Sequence, residues 1–254
     1  MAITIKSSRE IEIMRRSGAI LAEVHALLAS AVRPGIITDD LDQLAHDLIT
    51  ERGAKPSFLG HQGFPKSICT SVDSEVVHGI PNGQHLLPGQ IASIDVGVLL
   101  DGYHTDGAFT LAVGEIDDDV RALIEVTERA FDAGREKAVA GNRVGDISAA
   151  IQAQAESAGY GIVRDLTGHG VGRQLWEDPQ VPNYGVAGTG PLLRAGMTIA
   201  IEPMLTLGGE ETYVYPDGWT IATVDESLAA HYEHTLLITN GDPEILTKPG
   251  LIVV

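Results

Sequence analysis

The chain has 254 residues, of which 44% are apolar, and carries a formal net charge of −18. This length and composition fit one large or two small domains with a substantial core and exclude a disordered chain. The acidic balance argues against a nucleic-acid partner, whose phosphates require Lys and Arg patches, and weakly favours cationic ligands such as peptide amino termini. The single cysteine, Cys69, excludes an internal disulfide and is typical of a reducing compartment. The N-terminus has no apolar signal segment, and no apolar run approaches membrane-spanning length, so we expect a soluble cytoplasmic protein.

Two helices are predicted at the N-terminus. Ser7 and Glu10 have the spacing of a capping box, and apolar residues follow at helical intervals to about Ser30. After a Pro-Gly break, a second helix is predicted to begin near Thr38 or Asp39, and Gly53 is expected to close it. Short strands and loops are expected between Ala54 and Gln90.

A β-hairpin is predicted over residues 91–111, because two runs rich in β-branched and aromatic residues flank the turn signal Asp101-Gly102. Its register sets Gly97 opposite Asp106, and the period of two places Asp95 on the same face. Two carboxylates aimed at one point repel each other unless a cation or a shared proton compensates. Gly97, which lies between them, has no side chain and leaves room for such a cation. The pattern therefore predicts a hard divalent cation; the alternative is two strand-end residues bonded to nearby backbone.

The helical pattern restarts after the hairpin. One helix is predicted from Asp117 to about Ala140, ended by Gly141, and another from Asp146 to Gly159.

The two halves of the chain match at nearly constant offsets. At 106 residues, four positions near helix ends correspond: Gly35, Asp40, Leu41 and Gly53 map onto Gly141, Asp146, Ile147 and Gly159. At 107 residues, the segment from Pro88 to Asp95 maps onto the segment from Ala195 to Glu202. This long-period repeat indicates one domain with pseudo-twofold symmetry, in which Asp95 and Glu202 meet at the axis.

Three further residues could join the hairpin carboxylates. Glu202 ends a buried strand over 197–201, and Glu233 lies in a strand predicted over 230–239. His169 stands between glycines in a segment that lacks the Lys of a phosphate-binding loop, so an imidazole ligand is the better interpretation. The alternatives are strand-edge carboxylates and a hydrogen-bonded loop histidine.

In order and spacing, Asp95, Asp106, His169, Glu202 and Glu233 resemble the metal ligands of the methionine aminopeptidases, specifically the short bacterial type I form. The resemblance covers nearly the whole chain. The motifs that carry it are Gly63-Phe64-Pro65-Lys66-Ser67, Val77-His78-Gly79-Ile80-Pro81, Ile94-Asp95-Val96-Gly97, Gly168-His169-Gly170, Ile201-Glu202-Pro203 and Tyr232-Glu233-His234-Thr235.

The resemblance implies the α+β pita-bread fold, a curved antiparallel sheet backed by four main helices. It implies a single metallopeptidase domain over residues 1–254, with pseudo-symmetric halves of about 1–115 and 116–254. No zinc-finger extension is expected at the N-terminus. Two divalent ions (Mn, Co, Fe or Zn) are implied: Asp95 would bind one in bidentate fashion, Asp106 and Glu233 would bridge both, and His169 and Glu202 would complete the other.

The implied activity is removal of the initiator methionine from nascent proteins and peptides by a hydroxide that bridges the two ions. Glu202 would move the proton, and His78 would hydrogen-bond the substrate amide or the tetrahedral intermediate. The residues expected to contact the substrate are His78, Phe58, His61, Phe64, Cys69, Trp176 and Trp219. A monomer that acts on Met peptides without binding nucleic acid or membrane is expected, and contact with the ribosome is left open.

The sequence departs from the family at Trp176, which stands where a substrate-contacting histidine is usual, and more mildly at His61, Phe58 and around Asp106. An indole N–H can donate a hydrogen bond but cannot accept a proton, so reduced or re-tuned activity is predicted. Two alternatives stay open: an aminopeptidase or dipeptidase with another N-terminal preference, and a catalytically weak peptide-binding module.

Overall fold

The computed structural model describes residues 3–248. The ends of the predicted 1–254 domain, residues 1–2 and 249–254, therefore lie outside the described residues. The main helices are α1 (Ser8–Ala31), α2 (Thr38–Glu51), α3 (Asp118–Lys137) and α4 (Val144–Ala158). Within the described chain, no helix combines the length and apolarity needed to cross a membrane.

Fifteen short or medium strands accompany these helices in the described part of the chain. They are β1 (Lys55–Pro56), β2 (Ile68–Val72), β3 (Glu75–Val77), β4 (Ile91–Leu100), β5 (Tyr103–Ala112), β6 (Gly161–Ile162), β7 (Thr167–Gly170), β8 (Glu177–Pro182), β9 (Thr198–Ile201), β10 (Met204–Thr206), β11 (Thr212–Val214), β12 (Ile221–Thr223), β13 (Ala229–His231), β14 (Glu233–Leu237) and β15 (Glu244–Ile245). A 3₁₀ turn, His61–Gly63, lies between β1 and β2.

One large antiparallel sheet organises the molecule. Its strands follow the order β1-β4-β5-β14-β9-β7-β8, with β2 also paired to β4 and β15 to β14. Two three-stranded sheets, β13-β10-β6 and β11-β12-β3, complete the strand pairing. Strands β1, β4 and β5 of the first half therefore form one side of the large sheet, strands β14, β9, β7 and β8 of the second half form the other, and the two halves meet where β5 pairs with β14.

Each helix pair covers one part of this sheet. Apolar residues of α1 and α2 pack with β4 in one buried cluster, which includes Leu21, Leu41 and Ile94. Apolar residues of α3 and α4 pack with β9 and β14 in a second cluster, which includes Phe131 and Ile199. The buried stripes that the helical periodicity predicted thus hold the helices against the sheet, as burial of apolar surface requires.

Several local predictions are confirmed. Ser7 and Glu10 form the capping box of α1. The hairpin pairs Leu100 with Tyr103 and Gly97 with Asp106. These features depend on residues close in the chain, so local chemistry alone specifies them.

Two predicted helix boundaries differ from the structure. The third helix ends at Lys137 rather than near Ala140, before Gly141, and the fourth begins at Val144, with Asp146 already inside its first turn. In α4 the Asp146 carboxylate accepts a hydrogen bond from the backbone N–H of Arg143, as expected for a residue three positions into a helix.

The strand predicted over 230–239 is two strands in different sheets. Strand β13 ends at His231 and β14 begins at Glu233, so the chain passes from one sheet to another at Tyr232. His169, predicted as an imidazole ligand with a loop histidine as the alternative, lies within β7.

The repeated positions have similar backbone conformations. Gly35 and Gly141 have φ of +86° and +100°, and Gly89 and Gly196 both have φ of +90°. The division into two pseudo-symmetric halves nevertheless stays a prediction.

Candidate metal centre

Five adjacent strands bring the predicted ligand residues into one place. Across the order β4-β5-β14-β9-β7, Asp95 lies on β4, Asp106 on β5 and Glu233 at the start of β14. Glu202 follows β9 directly, and His169 lies on β7. The sheet therefore brings together five residues that lie up to 138 positions apart in the sequence.

The register places the carboxylates on a common face. Asp95 and Glu233 both pair with Ala108, from opposite sides of β5. Asp106 lies two residues before Ala108 and therefore shares its face. Because His234 pairs with Ile201, the next position along places Glu202 beside Glu233.

The His169 imidazole faces these carboxylates through one defined nitrogen. Its Nε2 lies 3.5 Å from Glu202 Oε1 and 3.9 Å from Asp106 Oδ2. Its Nδ1 lies 2.9 Å from the carbonyl oxygen of Gly170, which can only accept a hydrogen bond, so Nδ1 carries the proton. The lone pair of Nε2 is consequently directed at the carboxylates, the arrangement that metal-binding histidines use.

Three buried polar atoms in this region have no hydrogen-bond partner among residues 3–248. They are Asp95 Oδ1, Glu233 Oε1 and His231 Nε2. Buried polar groups normally have a partner, and leaving one without costs about 1–3 kcal/mol. A divalent cation would satisfy such atoms, and a mixed set of carboxylate oxygens and imidazole nitrogens suits Mn, Fe, Co or Zn. The residues present therefore fit a metal centre.

The electrostatics of the cluster also favour a cation. Burial raises the pKa of Asp106 to about 7. Burial, and then the negative charge of Asp106, raise the pKa values of Asp95, Glu202 and Glu233 well above their usual range. Burial lowers the pKa of His169 to about 4, so the imidazole is neutral at pH 7. Without a cation, the cluster must hold protons.

His231 is a further site residue that was not predicted from the sequence. Its Nε2 lies 3.7 Å from Glu202 Oε2 and 3.8 Å from Glu233 Oε2, and the side chain is buried. The one available signal was its position two residues before Glu233. In a continuous strand, residues two positions apart share a face. Here β13 ends at His231 and β14 begins at Glu233, so that rule does not apply.

The metal-centre residues line a cavity of about 450 Å³. Every residue predicted to contact the substrate also lines this cavity. Phe58, Phe64 and Cys69 pack with Leu175 in one buried apolar cluster, and Trp219 packs against it. The rings of Phe64 and Trp219 meet edge to face, 5.1 Å apart. Burial raises the pKa of the Cys69 thiol, which therefore stays neutral and behaves as a small apolar group.

Gly97 has a different role from the predicted one. A Cβ at this position would lie 2.6 Å from Ser57 Cβ and 2.8 Å from Phe58 Cε1. The missing side chain thus makes room for the chain that carries the Phe58 ring, not for a cation between Asp95 and Asp106.

His78 lies in the cavity wall just after β3. Its φ of +60° is uncommon for a residue with a side chain, and such conformations cluster at functional sites. Burial lowers the pKa of His78 to about 4, so at pH 7 the ring has one N–H donor and one acceptor nitrogen.

Trp176 lies at the rim of the same cavity, with 40% of its surface exposed. Its ring meets the edge of His61 at 4.8 Å between centroids. The neighbouring Leu175 is buried. Two of the departures from the family pattern, His61 and Trp176, therefore contact each other.

Comparison with known proteins assigns this site to a class. Residues 12–240 match the model of metallopeptidase family M24. The fold and the carboxylate–imidazole site together define a metallopeptidase with the pita-bread fold.

Closer relatives narrow the assignment. Over 246 residues the chain is 51% identical to a methionine aminopeptidase of Clostridium acetobutylicum, an alignment that covers 96% of this chain and 98% of the relative. It is 49% identical over 245 residues to one of Clostridium perfringens, covering 96% and 98%. A solved methionine aminopeptidase structure from Thermotoga maritima superposes with a TM-score of 0.96 at 43% identity, covering 97% of this chain and all of that one. The chain belongs to the methionine aminopeptidases of family M24.

Proposed function

We propose that this protein removes the initiator methionine from nascent proteins and peptides, using two divalent ions held by Asp95, Asp106, His169, Glu202 and Glu233. The observation that carries the proposal is the meeting of these side chains, with unpartnered buried oxygens, at the wall of an apolar cavity. The proposal includes a cytoplasmic monomer that acts on chains as they are made. Mn, Co, Fe and Zn are all compatible with the donor set.

The proposed ligand roles follow the sheet order. Asp106 and Glu233, on the neighbouring strands β5 and β14, would be the ligands that both ions share. Asp95 would complete one ion, and His169 with Glu202 the other. When bound, such a pair of ions acts as a Lewis acid that lowers the pKa of water and polarises the scissile carbonyl.

The chain's own groups would handle protons and orientation. Glu202 lies 3.5 Å from His169 and also lines the cavity, so its carboxylate can receive a proton there and return it to the leaving amine. His78 would donate a hydrogen bond to the substrate amide or to the developing oxyanion. Its neutral state at pH 7 suits that role because a neutral imidazole adds no charge near the metal centre.

The apolar cluster accounts for the choice of residue. Phe58, Phe64, Cys69 and Trp219 line an apolar part of the cavity that would receive an unbranched thioether, and burying a methionine side chain contributes about 1.5–3 kcal/mol. A polar or charged first residue would lose its hydration without gaining a partner.

The test uses metal-stripped protein with a Met-Ala-Ser peptide and a Leu-Ala-Ser control, before and after adding Mn²⁺ or Co²⁺. We expect metal-dependent release of free methionine and much slower release of leucine. Equal release of both would favour the aminopeptidase of other preference. No release by protein that still binds about two ions would favour the peptide-binding module.

A further inference from the structure

His231 is the second histidine near the carboxylates. It has the properties of a metal ligand, but the proposed metal centre gives it no role. Its side chain is 98% buried, and Nε2 has no hydrogen-bond partner in the described part of the chain. Two carboxylate oxygens, Glu202 Oε2 and Glu233 Oε2, lie 3.7 and 3.8 Å away. These separations are longer than the roughly 2.7–3.2 Å of a hydrogen bond, so direct hydrogen bonding does not account for them.

The separations do match those of atoms that share an ion. Two ligands each about 2.1 Å from one ion and at a near-tetrahedral angle lie about 3.4 Å apart, and somewhat farther at wider angles. The Nε2 atom of His169 lies at similar distances from its carboxylates, 3.5 Å from Glu202 Oε1 and 3.9 Å from Asp106 Oδ2. One ligand atom each of Glu202, His231 and Glu233 also lie within 4.8 Å of one another.

From this geometry we propose that His231 is a sixth ligand of the metal centre, binding through Nε2 the ion that Glu202 and Glu233 share. The inference rests on the proposed metal centre. Glu202 and Glu233 line the substrate cavity, whereas His231 is not among the residues that line it.

A sixth ligand of this type has a chemical consequence. With His169 and His231 the centre offers two imidazoles to its ions instead of one. Imidazole suits Zn²⁺ and Co²⁺, whereas Mn²⁺ is better matched to carboxylates and water. His231 should therefore raise the affinity for Zn²⁺ and Co²⁺ more than the affinity for Mn²⁺.

The decisive variant is His231→Gln, measured in the full chain after metal removal. Glutamine keeps a hydrogen-bond donor of similar reach but is a poor ligand for these ions, so the variant separates ligation from hydrogen bonding. By chelator competition we expect at least about tenfold weaker binding of Zn²⁺ and a smaller change for Mn²⁺. Unchanged thermal unfolding of the metal-free form checks the fold.

Proton NMR of the unmutated protein tests the proposal independently, because it counts the imidazoles that bind metal. In the Co²⁺-loaded form, each ligated imidazole with a protonated second nitrogen gives a strongly shifted, solvent-exchangeable N–H resonance. We expect two such resonances, one lost in His231→Gln and the other in His169→Gln. One resonance in the unmutated protein, with unchanged Zn²⁺ affinity in His231→Gln, would overturn the proposal.

Asp95→Asn separates failure of this inference from failure of the metal centre itself. If Asp95→Asn weakens metal binding and His231→Gln does not, only the role of His231 is wrong. If neither substitution changes metal binding, the ions do not bind at these carboxylates, and both proposals are overturned.

Discussion

Lys6 and Glu177 form an ion pair of 2.8 Å in which only 6% and 7% of the two side chains are exposed. Lys6 Nζ also donates to Thr4, and Lys6 lies so close over Gly172 that a Cβ there would come within 2.6 Å of Lys6 Cε. Glu177 lines the substrate cavity next to Trp176. The N-terminal segment thus braces the wall that carries the tryptophan.

We predict that Lys6→Met destabilises the protein by about 3–5 kcal/mol, because it leaves the buried carboxylate of Glu177 without its cation. Urea unfolding measures the change. The matched control is Arg16→Met, which removes the pair between Arg16 and Asp101, whose side chains are 53% and 57% exposed. That control should cost less than about 1 kcal/mol. Equal losses in both variants would mean that burial of the Lys6 pair has no energetic consequence.

The carboxylate cluster predicts an unusual pH dependence for metal-free protein. Burial raises the pKa of Asp106 from its usual value near 3.8 to about 7, so between these pH values the folded state holds a proton that the unfolded state has released. Stability therefore falls as pH rises from about 4 to 7, since the folded state binds more protons. Asp95, Glu202 and Glu233 have pKa shifts in the same direction and add to the slope.

Thermal unfolding from pH 5 to 8, with and without chelator, tests this expectation. Bound cations replace the protons, so added metal should stabilise the protein most at the higher pH values. A metal-free protein more stable at pH 8 than at pH 5 would contradict the assignment of the cluster.

Trp176 offers a test of what the departure from the family costs. If an imidazole at this position donates to the transition state, as the resemblance implies, Trp176→His should raise kcat by about 10²–10³. Trp176→Phe is the control, since it keeps the aromatic contact with His61 and removes the N–H. The kcat of each variant is measured from hydrolysis of the Met-Ala-Ser peptide. An unchanged kcat in Trp176→His would show that another group already supplies the hydrogen bond.

Gly97 tests how the hairpin shapes the pocket. In Gly97→Ala the new Cβ collides with Ser57 and Phe58, so the Phe58 ring must move. We expect a loss of about 1–3 kcal/mol in stability and a higher KM for Met peptides. Gly83→Ala is the matched control because no atom lies within 4 Å of its added Cβ. An unchanged KM in Gly97→Ala would show that the position of the Phe58 ring does not affect the KM for Met peptides.

Much of the site could be predicted from the chain alone. The capping box at Ser7 and Glu10 and the hairpin register that puts Asp95 and Asp106 on one face follow from contacts within a few residues or across one turn. Acidic residues in otherwise apolar strands are costly enough to mark Glu202 and Glu233 as exceptional. The motif resemblance then linked carboxylates from both ends of the sequence.

Only the tertiary structure decided the features that depend on where separate strands meet. The break at Tyr232 sends β13 and β14 into different sheets, yet leaves His231 and Glu233 at the same carboxylate cluster. The collision that explains Gly97, the burial of Lys6 against Glu177 and the contact of Trp176 with His61 likewise join distant segments. Local sequence specifies which side chains a strand presents, because the backbone period is short. Which side chains meet is decided by packing across the whole sheet, because burial and charge energies depend on every neighbour in space.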